Sequence, residues 1–170
     1  YHGEDGDATT FDFREKAPLA ATERMFLGLD GNVVNNSNHM GALSVGVPGT
    51  VAGLWKAHQE RGSLPWEQLV APAIKLAREG IPITYALQSG FLRNKSRFDL
   101  YPSSQQKFFK ADGSSYELGE LWVQEDLAHT LELIQKNGRD GFYKGENAKR
   151  LADYMAANGG IITEEDLEIY

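Results

Sequence analysis

The sequence predicts an α+β fold that is mostly helical, with a few short strands near the front of the chain. From about residue 50 onward, apolar residues recur at helical spacing in segments that begin at capping residues and end at glycines. Before that point, the runs 8–14, 25–29 and 43–47 alternate loosely or form short apolar stretches typical of strands. At 170 residues, the chain is the size of one domain and can bury a core.

Turn residues separate the predicted strands. We expect a turn or a frayed end over residues 1–7. Asp30-Gly31-Asn32 follows the second strand, and these residue types tolerate left-handed backbone angles. Pro48-Gly49 ends the third strand, and we interpret it as a tight connection into a helix. The alternative is that this turn holds a loop beside a pocket.

Two helices are predicted in the middle of the chain. The first covers about 51–61, with Thr50 as its cap and Gly62 at the C′ position. The second begins at Pro65, where the missing N–H of proline is harmless. Pro72 interrupts its pattern, so we expect either a kink or a short helix joined to a second one.

Further helices follow to the end of the chain. Thr84 caps a third helix, a brief helix covers 105–109, and a strong one opens at Glu125 or Asp126 and stops at Gly138. A helix over about 146–157 precedes a last turn that Thr163 and Asp166 cap. The acidic cluster of that turn could be a hard-cation site, but a capped helix N-terminus explains it better: Glu164, Glu165, Asp166 and Glu168.

The composition excludes several kinds of site. The formal net charge of −7 argues against a nucleic-acid surface, and no apolar run approaches the about 20 residues that span a membrane. The chain has no Cys, and its four histidines are scattered without ligand-like spacing. We therefore expect no metal site and no cofactor. Arg93, Lys95 and Arg97 form a small basic cluster, which we interpret as a solvated helix end rather than an anion site.

One arginine, Arg14, lies between two carboxylates in the run DFREKAP (12–18), at the end of the first predicted strand. A guanidinium is a planar fork of donors that keeps its charge, so it can hold a carboxylate through two parallel hydrogen bonds. The alternative is a surface ion pair with Asp12 or Glu15, which usually contributes little.

The same run resembles the γ-glutamyltranspeptidase family (γ-glutamyltransferase, glutathione hydrolase). Three other blocks resemble that family too: SVGVPGTVAGL (44–54), APAIKLAREG (71–80) and GGIITEEDL (159–167) with Tyr170. Their order and spacing match from about residue 10 to the last residue. The resemblance implies that Arg14 binds the α-carboxylate of the γ-glutamyl substrate. It also implies an N-terminal-nucleophile hydrolase with an αββα sandwich, of which this chain would carry helices and a minority of the strands.

The resemblance further implies a precursor that cuts itself, with the new N-terminal threonine of a small subunit as nucleophile. Nothing here resembles the Thr-Thr-His context of that threonine, so we expect no catalytic residue in this chain and no activity from it alone. We expect 1–170 to be a single partial domain, an internal fragment of the large subunit truncated at both ends. Its partners would be the rest of the large subunit, the small subunit and a γ-glutamyl small molecule.

The expected function is that of an enzyme fragment whose parent transfers or hydrolyses γ-glutamyl groups, with glutathione as the first donor to consider. By the resemblance, the parent would be periplasmic or secreted. Two alternatives keep the fold and change the substrate: a cephalosporin acylase, or a depolymerase of poly-γ-glutamate. A third alternative is a non-enzymatic helical interaction module, against which the Arg14 run argues.

Overall fold

The computed structural model describes residue 3 and residues 6–170 of this chain, and these residues group into two compact units. The first unit contains the described residues up to Val70 together with Thr130–Tyr170, and the second is the continuous stretch Ala71–His129. The frayed end expected over residues 1–7 lies partly outside the described residues. The described part of the chain is mostly helical, with one two-stranded sheet.

The helices and strands occur in the following order along the described chain. A 3₁₀ turn covers Ala42–Ser44. After it come α1 (Thr50–Arg61), α2 (Trp66–Glu79), β1 (Ile81–Pro82), α3 (Tyr85–Arg93), α4 (Lys95–Phe98), α5 (Pro102–Phe108), β2 (Leu121–Trp122), α6 (Glu125–Asn137), α7 (Asp140–Tyr143), α8 (Gly145–Ala157) and α9 (Glu164–Glu168).

The first unit has its core where α7, α8 and α9 meet the turn that precedes α1. Its buried core residues are Val47, Tyr143, Ala148, Met155, Ile162 and Leu167. The Tyr143 hydroxyl donates to the Pro48 carbonyl at 2.6 Å and accepts the Ala52 N–H at 3.3 Å. This buried tyrosine therefore fixes the backbone on both sides of the α1 N-terminus.

The second unit has an aromatic core beside its sheet. Strands β1 and β2 pair antiparallel, with Ile81 opposite Trp122. The core residues are Ile83, Phe91, Phe109 and Trp122. The indole N–H of Trp122 donates to the Lys107 carbonyl at 3.0 Å, so the one polar group of this large side chain is satisfied.

Most helix predictions are confirmed, and the caps show why. Thr84 accepts the Leu87 N–H at 3.3 Å through its side chain, and Thr163 forms a full capping box with Asp166. The prediction of Thr50 as a cap is wrong, because Gly49 is the N-cap of α1 and Thr50 is its first helical residue.

Two other helix details concern Gly62 and Pro72. Gly62 ends α1 as the C-cap, with an extended backbone (φ −72°, ψ 137°) instead of a left-handed C′ conformation. Pro72 lies inside α2, which continues as one helix and does not split into two. Ile74 and Ala77 are buried beyond the proline, and their packing favours continuing the helix despite the missing hydrogen bond.

The strand predictions are wrong for all three early segments. Residues 8–14 carry no ladder, residues 25–29 contribute one bridge from Leu27 to Val33, and the 3₁₀ turn occupies part of 43–47. A strand needs a hydrogen-bonded neighbour along its length. Among the described residues, these segments meet a neighbour only at isolated bridges, so they stay extended or turn.

Candidate functional site

Arg14 lies on the exposed extended segment that leads to an antiparallel bridge between Lys16 and Val47. Its side chain is 82% exposed, and its Nη2 lies 2.9 Å from Glu15 Oε1. The Arg14 backbone N–H donates to Asp12 Oδ1 at 3.1 Å. Both neighbouring carboxylates therefore contact this residue, one through the guanidinium and the other through the main chain.

Glu15 is held by the arginine at one end and by a glycine at the other. Its own backbone N–H, and after it the Arg14 guanidinium, hold the pKa of the Glu15 carboxyl below its ordinary value. A Cβ at Gly46 would lie 2.9 Å from Glu15 Cγ, so the glutamate stem rests on this glycine. Glu15 is thus charged at neutral pH and oriented toward Arg14.

Three contacts fix the main chain around Arg14. Lys16 and Val47 exchange both bridge hydrogen bonds, at 3.2 and 2.8 Å. The Tyr170 hydroxyl donates to the Arg14 carbonyl at 2.6 Å. The Phe13 ring lies against Gly53 of α1, where a Cβ would come within 2.2 Å of it. The backbone is therefore anchored on both sides of an arginine whose side chain faces solvent.

Tyr170 itself is packed into a stack of rings and cations. Its ring stacks on that of Tyr143, with centroids 5.7 Å apart and planes 14° apart. Lys16 Nζ lies 4.7 Å from the centroid of Tyr170, and the Arg139 guanidinium lies 4.8 Å from that of Tyr143. Gly49 permits this approach, since a Cβ there would lie only 1.8 Å from the Tyr170 oxygen.

Both tyrosine hydroxyls keep their protons well above neutral pH. Burial raises the pKa of Tyr143. Burial, and after it the charges of Asp12 and Glu15, raise the pKa of Tyr170. Each hydroxyl is therefore a hydrogen-bond donor over the whole neutral range, as its contact with a main-chain carbonyl requires.

Asp166 anchors the far end of the Arg14 segment. This residue is 4% exposed, and its Oδ1 accepts the Leu19 N–H at 2.6 Å. Its Oδ2 accepts the Thr163 N–H at 2.8 Å and the Thr163 hydroxyl at 2.7 Å. Burial alone would raise the pKa of Asp166, but these hydrogen bonds outweigh burial and lower it.

A cavity of about 260 Å³ lies on the Glu15 side of the segment. Its walls are mostly apolar and include Pro18, Met25, Phe26 and Leu43, with Glu15 and Lys16 also in the lining. The cavity therefore lies next to the charged run that contains Arg14.

Two other clusters from the sequence make local contacts at helix ends. In the basic cluster, Lys95 Nζ binds both oxygens of Asp99, at 2.8 and 2.9 Å, one helical turn away. The acidic cluster forms the capped start of α9, as predicted. Within the described ranges, no set of three or more His, Asp and Glu side chains converges as metal ligands would. No described helix has the length and apolar character needed to cross a bilayer.

Sequence reasoning found Arg14 and missed the residues that hold it. The contacts of Tyr170 and Asp166 with this segment span 156 and 147 positions of the chain. The available signal was the pair Gly49 and Gly53, whose missing side chains leave room for Tyr170 and Phe13.

Comparison with known proteins shows which family this chain resembles. The sequence model described as Gamma-glutamyltranspeptidase matches residues 1–170. This chain belongs to the γ-glutamyltranspeptidase family. A glutathione hydrolase proenzyme from Pseudomonas sp. (strain A14) is 45% identical to it over 166 residues, which make up 98% of this chain and 29% of that protein. The chain thus spans less than a third of the length of the curated family members it matches.

Solved structures agree with the membership in the γ-glutamyltranspeptidase family. The crystal structure of Helicobacter pylori γ-glutamyltranspeptidase matches 100% of this chain and 49% of its own, with a TM-score of 0.97 and 45% identity. Cephalosporin acylase from Bacillus halodurans matches 94% of this chain and 30% of its own, with a TM-score of 0.74 and 27% identity. The predicted fold class, a mostly helical α+β part of an N-terminal-nucleophile hydrolase, is confirmed. The role of Arg14 stays a prediction.

Proposed function

We propose that this chain is part of an enzyme that transfers or hydrolyses γ-glutamyl groups, and that Arg14 holds the α-carboxylate of the donor. The observation that carries the proposal is an arginine with an anchored main chain and a side chain 82% exposed, in a chain that matches the family over its whole length. Glutathione-like donors are the natural class, because the curated relatives are named glutathione hydrolases.

The geometry suits a carboxylate ligand. A guanidinium carries five N–H donors in a fixed plane, and Glu15 engages it through Nη2. A donor carboxylate can take two parallel hydrogen bonds from another edge of the same plane. Glu15 restricts the rotation of the long side chain, which lowers the entropy that binding must overcome.

The acyl chemistry belongs to a residue outside these 170. We propose an N-terminal threonine as nucleophile, exposed by self-cleavage of a precursor, and several relatives are indeed named proenzymes. The same proposal assigns this chain to the large subunit, with the rest of that subunit and a small subunit as its partners. It places the enzyme in the periplasm or outside the cell.

A related acylase is the second candidate function. The structural match to a cephalosporin acylase supports it, at 27% identity and a TM-score of 0.74. The match to a γ-glutamyltranspeptidase is closer on both measures, at 45% and 0.97. We therefore favour a γ-glutamyl donor.

Arg14→Lys in the full-length protein tests the proposal. Lysine keeps the charge but lacks the planar fork of donors, so it loses a hydrogen bond to the donor carboxylate. A hydrogen bond to a charged group contributes about 1.5–3 kcal/mol. The kcat/KM for a chromogenic γ-glutamyl anilide should therefore fall about tenfold or more. Arg14→Ala should lose more. Arg150→Lys is the control, since Arg150 is a half-exposed arginine on α8 that pairs with Glu146 at 3.6 Å.

Self-cleavage, followed on a denaturing gel, separates the possible outcomes. Normal cleavage with a lower kcat/KM supports a substrate contact. An Arg14→Lys enzyme that matches the Arg150→Lys control, or one that fails to cleave or fold, would show that Arg14 is a structural ion-pair residue with Glu15.

A further inference from the structure

We propose that Tyr170 is a positioning residue for Arg14: its hydroxyl holds the Arg14 main-chain carbonyl and so sets where the guanidinium meets the donor. This inference rests on the proposed function, because it concerns the substrate contact of the same arginine. The hydrogen bond joins the two residues at 2.6 Å across 156 positions of the chain.

The Arg14 main chain needs such a contact because of its place in the segment. The backbone bridge to Val47 is made by Lys16, two residues further along the chain. The Tyr170 hydroxyl donates its hydrogen bond to the carbonyl of Arg14 itself. On the other side of Arg14, the Phe13 ring packs against Gly53. Without the Tyr170 hydroxyl, Arg14 would be held only through its neighbours, by the Lys16–Val47 bridge on one side and by the Phe13 ring and the Asp7–Arg61 ion pair on the other. Its guanidinium would then sample a wider volume.

Tyr170 is rigid enough to serve as a reference point. Its ring stacks 5.7 Å from Tyr143, which is fully buried and is itself bound to the Pro48 carbonyl at 2.6 Å. Lys16 Nζ covers it at 4.7 Å, and Gly49 lies so close that an added Cβ would meet the phenol carbon at 2.3 Å. The ring is therefore fixed before a substrate binds, and the position of its hydroxyl is defined.

The ring and the hydroxyl of Tyr170 have separable roles. The stack on Tyr143 and the cation contact of Lys16 need only an aromatic ring, which phenylalanine also supplies. The hydrogen bond to Arg14 needs the oxygen. Tyr170→Phe therefore removes the link to Arg14 and keeps the packing.

The test measures KM and kcat of the full-length enzyme with γ-glutamyl p-nitroanilide. Tyr170→Phe should raise KM about three- to tenfold with kcat nearly unchanged, because one neutral hydrogen bond is lost and the α-carboxylate contact is made in ground and transition states alike. Tyr85→Phe is the matched control, since Tyr85 is a tyrosine at the start of α3 that is 76% exposed. It should leave both constants unchanged.

A double variant and an exchange measurement complete the test. Arg14→Lys alone should raise KM, and adding Tyr170→Phe should raise it further by less than about twofold, because both changes act on one contact. Hydrogen exchange at residues 13–17 should become faster in Tyr170→Phe and stay normal in Tyr85→Phe.

Three results would overturn the proposal. Tyr170→Phe could behave like Tyr85→Phe, or it could lower kcat at unchanged KM, which indicates a smaller folded fraction and a purely structural role. The third is an active enzyme in which Arg14→Lys leaves KM unchanged. That last result would also contradict the proposed contact between Arg14 and the donor carboxylate. The Arg14→Lys variant alone reveals it, whereas the first two results are seen in Tyr170→Phe.

Discussion

At the scale of single residues, Asp166 links two separate parts of the first unit. One oxygen completes the capping box of α9 with Thr163, and the other accepts the N–H of Leu19 at 2.6 Å. A carboxylate that accepts several N–H and O–H bonds is stabilised in its charged form, which explains its lowered pKa. The segment that carries Arg14 is thereby tied to the last helix.

Asp166→Asn should lower the free energy of unfolding at pH 7 by about 1.5–3 kcal/mol, the contribution of a hydrogen bond to a charged group. The folded-state pKa lies below the ordinary value of 3.8, so the charged form is the one that folding favours. The stabilisation is therefore complete above 3.8 and is lost as the pH falls through the folded-state pKa. Urea unfolding of both proteins at pH 7 and at about pH 2 should show a smaller difference at the lower pH.

Asp153→Asn is the control for this measurement. Asp153 lies on α8, is 66% exposed and pairs with Lys149 at 2.9 Å, so its loss should change stability by less than about 0.5 kcal/mol. Two results would contradict this role of Asp166. The Asp166→Asn protein could be as stable as the control, or its loss of unfolding free energy could be the same in acid as at pH 7.

At the scale of elements, two helices contain a glycine for different reasons. Gly53 in α1 faces the Phe13 ring, and a Cβ there would lie 2.2 Å from it. A Cβ built on Gly90 in α3 would meet no described atom within 4 Å, apart from its chain neighbours and the backbone of its own helix. Helical backbone disfavours glycine equally in both places, so only packing distinguishes them.

Alanine at these two positions should have opposite effects on stability. Gly53→Ala should destabilise by about 1–3 kcal/mol, because Phe13 must move away from α1. Gly90→Ala should stabilise by about 0.4–1 kcal/mol through the smaller entropy of its unfolded chain. Urea unfolding of the two variants measures both changes, and shifts of the same sign would show that the Phe13 contact is absent in solution.

The elements also show what the sequence could predict. Helices α3, α6, α8 and α9 were predictable because their signals, caps and apolar spacing, lie within a few residues of one another. The early strands were not, because whether a segment pairs depends on a distant neighbour: Lys16 meets Val47 at a single bridge. The same limit applies to the candidate site. Arg14 was singled out from its local run, whereas the Tyr170 contact joins it to a residue 156 positions away.

At the scale of the whole molecule, the net charge bears on the choice of partners. The chain has 24 acidic and 17 basic residues, which gives the formal net charge of −7. Many of its basic side chains are engaged in ion pairs such as Lys110 with Glu120, at 2.7 Å, and Lys107 with Asp126, at 2.9 Å. Nucleic-acid binding requires a basic patch that presents cations to phosphates, and this acidic balance argues against one.

The protein should therefore pass through a DNA column at pH 7.5 and bind to an anion exchanger. Phosphate contacts would make retention on DNA strong at low salt and steeply salt-dependent, so the measurement is best made at about 50 mM salt, where such binding is strongest. Retention that declines with rising salt would contradict the expectation that this chain has no nucleic-acid partner.

Because the hydrogen bond from Tyr170 to Arg14 joins residues distant in the sequence, it can form only late in the synthesis of this segment. Ribosomes add about 5–20 residues per second, so the 156 positions between Arg14 and Tyr170 take about 8–30 s to translate. The residues 71–129 are complete before that, and all of their mutual contacts are available earlier. For the whole of that interval the nascent chain carries an arginine whose final main-chain contact has not yet been made. The proposed binding residue is therefore synthesised well before the residue that holds its main-chain carbonyl.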